Sequence, residues 1–428
     1  MKLSTFRALH SRNYRLFFAG QSLSLLGTWM QKTAVSWVVY SVTQSKLMLG
    51  LSVFATLFPS AIFSFIGGVA ADRYSRYRLL LLTQVLSMVQ AALLTVLVFF
   101  RPEAVWGIIG LSAVLGIING FDVPARQSLV YELVEDKQDL PNALALNSSM
   151  VNLSKLIGPA IAGFTLEHLG EATCFGLNAV SFVAVIGSLL LLKLPAFEPR
   201  PRTQNVLGEL RDGLRYVRDT PEIRFIIGTL GLMSLVALPF TTLLPAYAKD
   251  IFHGTASTFG VIDGAVGLGA FIGALYLASL PPGKDLLRVL MMNTFLFGSG
   301  LLLFAYTPWF GVALGLLAVS AFGMMSQMTI TNTLVQTTVA PAVRGRVISL
   351  YVMAFTGMLP LGSLLVGWVS EHVGVQATVL LEGLMTLGVG GIYWLHLRRR
   401  RPAAVAPRKA APRALPAPAV PAAAAFPA

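Results

Sequence analysis

Over most of the chain, apolar residues run on for twenty positions or more, and charge is confined to the gaps between the runs. The runs read at roughly 14–40, 47–71, 79–100, 104–124, 142–168, 173–194, 224–247, 256–281, 286–307, 309–333, 346–370 and 374–397. About twenty consecutive apolar residues make a helix long enough to cross a hydrocarbon core of ~30 Å. The pattern therefore predicts an all-α membrane protein of twelve transmembrane helices. The sharpest interruption is Gly67-Gly68-Val69-Ala70-Ala71-Asp72-Arg73-Tyr74-Ser75-Arg76-Tyr77-Arg78, a short charged segment between the second and third runs that must be a hinge between two crossings.

The gaps differ by side. Asp72 to Arg78 and Arg126 to Asp139 are charged, whereas Lys46 and Arg101 stand almost alone in the first and third connections. Lys2, Arg7, Arg12 and Arg15, the middle connection from Lys193 to Arg224, Lys284, Arg288, Arg344, Arg346 and the Arg398 to Arg401 run all fall on one side. The positive-inside rule makes that side cytoplasmic, with both termini on it.

The halves repeat. Gly163-Phe164-Thr165-Leu166-Glu167-His168-Leu169-Gly170, at the end of the fifth run, returns as Gly367-Trp368-Val369-Ser370-Glu371-His372-Val373-Gly374 at the end of the eleventh. Leu129-Val130 returns as Leu334-Val335 with a one-residue slip, as expected of two copies of a six-helix unit. The expected domains are a first bundle, 1–194, a linker, 195–222, a second bundle, 223–397, and a basic, disordered Ala- and Pro-rich tail, 398–428. In the linker, Leu207, Leu210, Leu214 and Val217 among Arg211, Arg215 and Arg218 predict a basic amphipathic helix for an anionic membrane surface; a regulatory role is the sharper alternative.

Composition agrees with a polytopic membrane protein. Of 428 residues 55% are hydrophobic and 12% charged, and the mean hydropathy is +0.71, whereas soluble domains run near 25% charged. The net charge of +13 is scattered between apolar spans rather than gathered with aromatics into a nucleic-acid-binding face. One cysteine, Cys174, excludes an internal disulfide framework, and five scattered histidines give no metal-ligand spacing. The first run is full-length and lacks a small-residue cleavage site, so it is expected to remain as an anchor. No catalytic constellation or phosphate-cradling glycine loop is present, which argues against an enzyme or an ATP-driven pump. No cofactor is implied.

The hinge pattern Gly68-x-x-Ala71-Asp72-Arg73-Tyr74-x-Arg76-x-Arg78-Leu79-Leu80 resembles the loop between helices two and three of the major facilitator superfamily of secondary transporters. That family usually has Leu at the position of Ala70, Gly at Ser75 and Lys or Arg at Tyr77, so the turn here is made without its glycine. The resemblance implies two parallel bundles with a central site between them. It also implies a cytoplasmic latch of Gly68, Asp72, Arg73 and Arg76, in which Asp72 lies by the start of helix eleven; an anion there is favourable by about 0.3–1 kcal/mol. A narrower resemblance rests on Asn119-Gly120-Phe121-Asp122-Val123-Pro124-Ala125-Arg126-Gln127, Leu140-Pro141-Asn142-Ala143, the stretch from Asn152 to Gly163, Trp29-Met30-Gln31 and Trp37-Val38-Val39-Tyr40. Together these are similar to the branch that holds the enterobactin exporter and the macrolide efflux pumps, the transmembrane secretion effectors. Gly158-Pro159-x-x-x-Gly163 resembles the fifth-helix motif of the antiporters. The implied activity is proton-driven export of a small organic compound, such as a siderophore, macrolide or other drug, by a monomer in a bacterial inner membrane. The partners are then that substrate, protons and lipid. An importer, a non-transporting sensor and a membrane-embedded enzyme are the rivals.

Ionisable groups inside the runs are where function is expected, since each costs a few kcal/mol at mid-bilayer unless paired or hydrated. They are Lys32, Asp122, Lys155, Asp263 and Glu382. Counting 1.5 Å per residue from opposite ends puts Lys155 about 20 Å and Asp263 about 10 Å deep, at a common level; the resemblance implies that helices five and eight are neighbours across the cleft, so the two are expected to pair there unless Asp263 faces outer water. Asp122 with Arg126 at i,i+4 is a proton carrier or a structural ion pair. Gly158, Pro159 and Gly163 form a bent gate or ordinary packing. Glu382 is expected to pair locally or meet headgroups. Trp29, Lys32, Trp37, Met324, Gln327 and Met328 are candidates to line a substrate pocket, with Lys32 snorkelling or drawing an anion.

Overall fold

The computed structural model describes residues 4–194, 206–281, 283–341 and 343–399. Among them there is no strand, and twelve long helices follow one another: α1 Arg12–Thr43, α2 Lys46–Arg73, α3 Arg76–Phe100, α4 Val105–Leu133, α5 Leu140–His168, α6 Glu171–Leu190, α7 Pro221–Ile251, α8 Ala256–Ala278, α9 Leu286–Ala305, α10 Phe310–Thr338, α11 Arg344–Val373 and α12 Val375–Arg399. Ten are long and apolar enough to cross a membrane. The other two, α1 and α5, have 32 and 29 residues but are broken by polar side chains: Gln21, Gln31 and Lys32 in one, Asn147, Ser148, Asn152 and Lys155 in the other. Of these, Lys32 lines a recess between the bundles, whereas Gln31 is buried and bonds Gln90 and Asn178 within the first bundle.

Local chemistry explains the joints. Ser75 Oγ accepts from Arg78 N at 3.4 Å and starts α3, so a serine cap does at the hinge what a glycine turn would otherwise do. Gly170 and Gly374, the last residues of the two repeat copies, turn α5 into α6 and α11 into α12 with φ of 86° and 87°, a region only glycine enters freely. Pro239 and Pro245 interrupt α7, which passes through a 3₁₀ stretch Leu238–Leu243 and a π turn Tyr247–Ile251. Such irregular backbone is tolerated at membrane depth where it is buried in protein or lines a cavity.

Two six-helix bundles result. In the first, α2 packs on α4 and α6 on α1 and α3; in the second, α10 packs on α8 and α9, and α12 on α9. The bundles meet along two seams, α5 with α8 and α2 with α11. Arg12, Arg73, Arg76, Arg344, Arg346 and Arg399 mark one end of the molecule, the basic face; the joints α1–α2, α5–α6, α7–α8 and α11–α12 mark the far face. A short helix, Val206–Asp219, lies at the basic face. Arg346 Nη1 and Asp212 Oδ2 are 3.1 Å apart, and Tyr216 and Val217 pack on Ile223, Val335 and Val347. The side chains of Leu207 and Leu210, and the whole tail from residue 400, lie outside the described residues.

Candidate functional site: a cleft sealed at one end

Glycines let the backbones of α5 and α8 touch. A Cβ on Gly163 would stand 2.7 Å from Ala256 O and 3.0 Å from Gly260 Cα, and one on Gly260 would stand 2.6 Å from Pro159 O. Pro159 has no N–H, so the Lys155 carbonyl lacks its helical donor; a Cβ on Gly267 would meet that oxygen at 2.9 Å. Gly158 is as tight against Trp29 Cβ on α1, at 2.7 Å. The second seam repeats the design: a Cβ on Gly367 would meet Lys46 O at 2.6 Å, and one on Gly50 would meet Ser363 O at 2.4 Å. Gly163 and Gly367 are equivalent positions of the repeat.

Above the glycines, each bundle caps a helix of the other. Glu167 Oε2, at the end of α5, accepts from Thr255 Oγ1 at 2.6 Å and Ser257 N at 3.2 Å, at the start of α8. Glu371 Oε2, at the end of α11, accepts from Lys46 N at 2.7 Å, Leu47 N at 3.2 Å and Ser45 Oγ at 3.3 Å, at the start of α2. A carboxylate at a helix N-terminus satisfies orphan N–H groups and meets the positive end of the helix dipole. Tyr40 also bonds Asp250, Lys46 Nζ is 3.6 Å from Asp250 Oδ2, and Lys249 Nζ donates to Ser41 O at 3.3 Å. The far face is closed. Toward the basic face, the stripe of α5 that meets α8 continues through Asn152, Ser149 and Ser148, where both serines are exposed.

These caps carry a prediction. Glu167→Gln with Glu371→Gln removes both charges and keeps the side-chain shape. With each cap contributing about 1 kcal/mol, the pair should shift the equilibrium toward an open far face by about tenfold or more. Ala256 is buried in the seam, so Ala256→Cys in a Cys174→Ser background in nanodiscs reports the change as faster maleimide labelling. Labelling at the parental rate would show that the carboxylates do not hold the face shut.

Under the seams lies a recess of about 80 Å³, lined by Lys32, Thr33, Thr241, Thr242, Asp263 and Ser363 among others. That volume suits an end group or several waters. Asp263 Oδ2 accepts from Thr33 Oγ1 at 3.3 Å. Lys32 Nζ and Lys155 Nζ both lie over Trp29, at 4.5 and 5.3 Å from the ring centroid. The expected Lys155–Asp263 pair is therefore corrected: no ion pair joins them, and Asp263 bonds Thr33 on α1 and shares the recess with Lys32. The cause is the seam: Gly260 and Gly267 are pressed on α5, and Asp263 stands at the edge of that face, where Thr33 of α1 is its partner.

Asp122 and Arg126 do come together, Oδ2 to Nε at 3.2 Å, inside the first bundle. Asp122 is 4% exposed, and its Oδ1 accepts from Thr83 Oγ1 at 2.9 Å and Gln84 Nε2 at 2.6 Å. Gln327, which stands at the place of Asp122 under the offset that carries Leu129 to Leu334, is corrected as a pocket residue: it is fully buried, donates to Thr294 Oγ1 and lies 3.4 Å from Tyr393 Oη. Met324 and Met328 are half-buried, the former against the second core. Trp37 stacks on Phe259 with centroids 6.1 Å apart. Glu382, expected at headgroups or in a local pair, is 3% exposed within the second bundle, and neither carboxyl oxygen has a hydrogen-bond partner among the described residues. At the hinge, Arg76 bonds Glu132 and the Ala71 carbonyl, both in its own bundle; Asp72 is half-buried, Arg73 is exposed, and Gly68 has open space beside it. Sequence reasoning missed Glu167 and Glu371 as contacts, although both stood inside the repeat it had found.

Compared with known proteins, residues 3–423 match the family described as transmembrane secretion effector. The chain is 28% identical to the staphyloferrin A transporter of Staphylococcus aureus (strain NCTC 8325 / PS 47), covering 90% of this chain and 96% of that one. It is 23% identical to macrolide efflux protein A of Streptococcus pyogenes, covering 88% and 94%, and 28% identical to the enterobactin exporter EntS of Escherichia coli O1:K1 / APEC, covering 91% and 93%. In fold it is similar to a POT family transporter in complex with 5-aminolevulinic acid, with a TM-score of 0.71 at 13% identity over 90% of this chain and 96% of that one. A bacterial homologue of ferroportin in an inward-facing state gives 0.65 at 16% identity over 90% and 98%. With that family match spanning nearly the whole chain, and with two bundles closing on a central cleft, the protein is a multi-pass membrane transporter, not an enzyme, and belongs to the transmembrane secretion effector family of the major facilitator superfamily.

Proposed function

We propose that the protein exports a small organic compound from a bacterial cell by alternating access, driven by proton entry. The basic face is cytoplasmic, both termini lie there, and the conformation described is open to the cytoplasm. The halves are 1–194 and 223–397, joined by 195–222 and followed by the tail 398–428. The carrying observation is the ionisable cluster Lys32, Lys155 and Asp263 under seams whose glycines and caps allow the far face to close. Its relatives are named for staphyloferrin A, macrolides and enterobactin, which supports a medium-sized organic cargo. Asp263, a carboxylate on the recess, is the first candidate for proton coupling, since a desolvated carboxylate near a cation takes and releases protons as its surroundings change. Asp122 and Arg126 support the first bundle from within. Gly158, Pro159 and Gly163 are the gate, Trp29 and Lys32 meet the substrate, and Asp72 with Arg73 and Arg76 closes the cytoplasmic side in the opposite state. The transporter works as a monomer.

The test is the purified protein in proteoliposomes with an imposed pH gradient and a panel of siderophores, macrolides and other drugs. Movement of a panel compound against its gradient only while protons flow the other way is the expected result. Flux in the same direction as protons would make it an importer, and flux indifferent to pH would end the coupling. Asp263→Asn is expected to leave downhill exchange intact and abolish proton-driven accumulation.

A further inference from the structure

Positive charge exceeds negative at the recess and beside it: Lys32 lines the recess together with Asp263, and Lys155 adjoins it through the Trp29 ring that both lysines share. Lys32 is exposed into the cavity and Lys155 half-buried. Among the described residues neither ammonium makes a hydrogen bond or an ion pair. Their common neighbour is the Trp29 ring, whose face attracts a cation through its quadrupole. Asp263 is the carboxylate among the side chains lining the recess, and its Oδ2 already accepts from Thr33. Two cations and one anion leave a net positive end to the cleft, in surroundings where charge is poorly screened.

We propose that Lys32 and Lys155 form a subsite for an organic carboxylate, so that the transported molecule is an anion or carries an anionic end group. This rests on the reading of the cleft as the substrate path. Trp29 holds the two ammonium groups on its ring, where the attraction is weaker than a charge-assisted hydrogen bond to a carboxylate oxygen. When the carboxylate enters, both lysines leave the ring for its oxygens, and Trp29 loses its two cationic neighbours. The thinness of this wall at Gly158, whose hydrogen lies against Trp29 Cβ, keeps the indole on the cleft. A cationic cargo meets repulsion from the same pair, which makes the subsite selective by charge as well as receptive.

The experiment uses three probes with one ring and three charges, benzoate, benzyl alcohol and benzylamine, titrated into the full protein in nanodiscs. Binding is followed by radiolabelled probe and by tryptophan fluorescence. Benzoate is expected to bind at least about tenfold more tightly than the other two, and Lys32→Gln and Lys155→Gln are each expected to weaken it about tenfold, the scale of one charged hydrogen bond. Trp29→Phe is expected to remove the fluorescence change while benzoate still binds. Lys32→Arg, which keeps the charge and the fold, should keep the preference. Equal or tighter binding of benzylamine or benzyl alcohol would overturn the proposal, as would benzoate binding untouched by either glutamine variant. The two readings separate cleanly. Transport of panel compounds without any preference for anions ends the subsite and leaves the transporter, whereas lysine-dependent benzoate binding without flux of any compound keeps the subsite and ends the export reading.

Discussion

Alanine at Gly163 is expected to cut transport at least tenfold while the protein still inserts and folds. The added Cβ meets only backbone, Ala256 O at 2.7 Å and the Cα atoms of Gly260 and Ser257 at 3.0 Å. Backbone cannot rotate away as a side-chain tip can, so α5 and α8 must separate. Overpacking of this kind costs about 1–3 kcal/mol, and here the cost falls on the far-closed state alone, because in a far-open state the two helices part. Each 1.4 kcal/mol is a factor of ten in that population. Leucine at Gly163 or Gly158 should remove transport altogether. Gly367→Ala, at the matching point of the other seam, should behave alike, and Gly187→Ala, with nothing within 4 Å of its Cβ, is the control. Initial rates in proteoliposomes, read beside maleimide labelling of Ala256→Cys, check it: normal rates with the seam still closed would show that the glycines are packing and not a gate.

The second large effect is on stability. Asp122→Ala leaves the Arg126 guanidinium, largely buried, without its counter-ion, and removes the acceptor shared by Thr83 and Gln84. Deleting one member of a buried ion pair costs about 3–5 kcal/mol, because the remaining charge is uncompensated. The variant should melt well below the parent in detergent. Asp122→Asn keeps an oxygen for Thr83 and Gln84 but still leaves Arg126 without its counter-ion, so it should recover only part of the loss. Since Asp122 faces the interior of its bundle, proton-driven transport is expected to persist in Asp122→Asn; its loss, with the fold intact, would place this carboxylate in the coupling after all.

What could be read from the chain, and what could not, follows from the range of the interactions. The crossings were legible because the bilayer demands continuous apolar length, and the repeat was legible because the copies share residues such as Gly163 and Gly367. Even α1 and α5, whose polar positions lower their hydropathy, stood out by length. The break in α7 was less visible, although Pro239 and Pro245 mark it, since proline alone does not say whether a helix bends or stops. Depth counting places Lys155 and Asp263 at one level, but rotation about a helix axis is set by neighbours: Gly260 and Gly267 settle which face of α8 meets α5, and Asp263, at the edge of that face, bonds Thr33 instead. Gln327 was misread for the same reason, because a polar residue in an apolar run is as often satisfied by its own bundle, here by Thr294 and Tyr393, as by a ligand.

The reciprocal glutamate contacts bear on how such a molecule came to exist. One six-helix unit carries a carboxylate at the end of its fifth crossing and a receptive helix start at its second. Two identical units facing one another about a twofold axis satisfy both contacts at once, because a contact of this kind is its own complement. Association of separate copies would thus have come ready-made before fusion tied them into a single chain, and separately synthesised halves of the present protein retain the same mutual address.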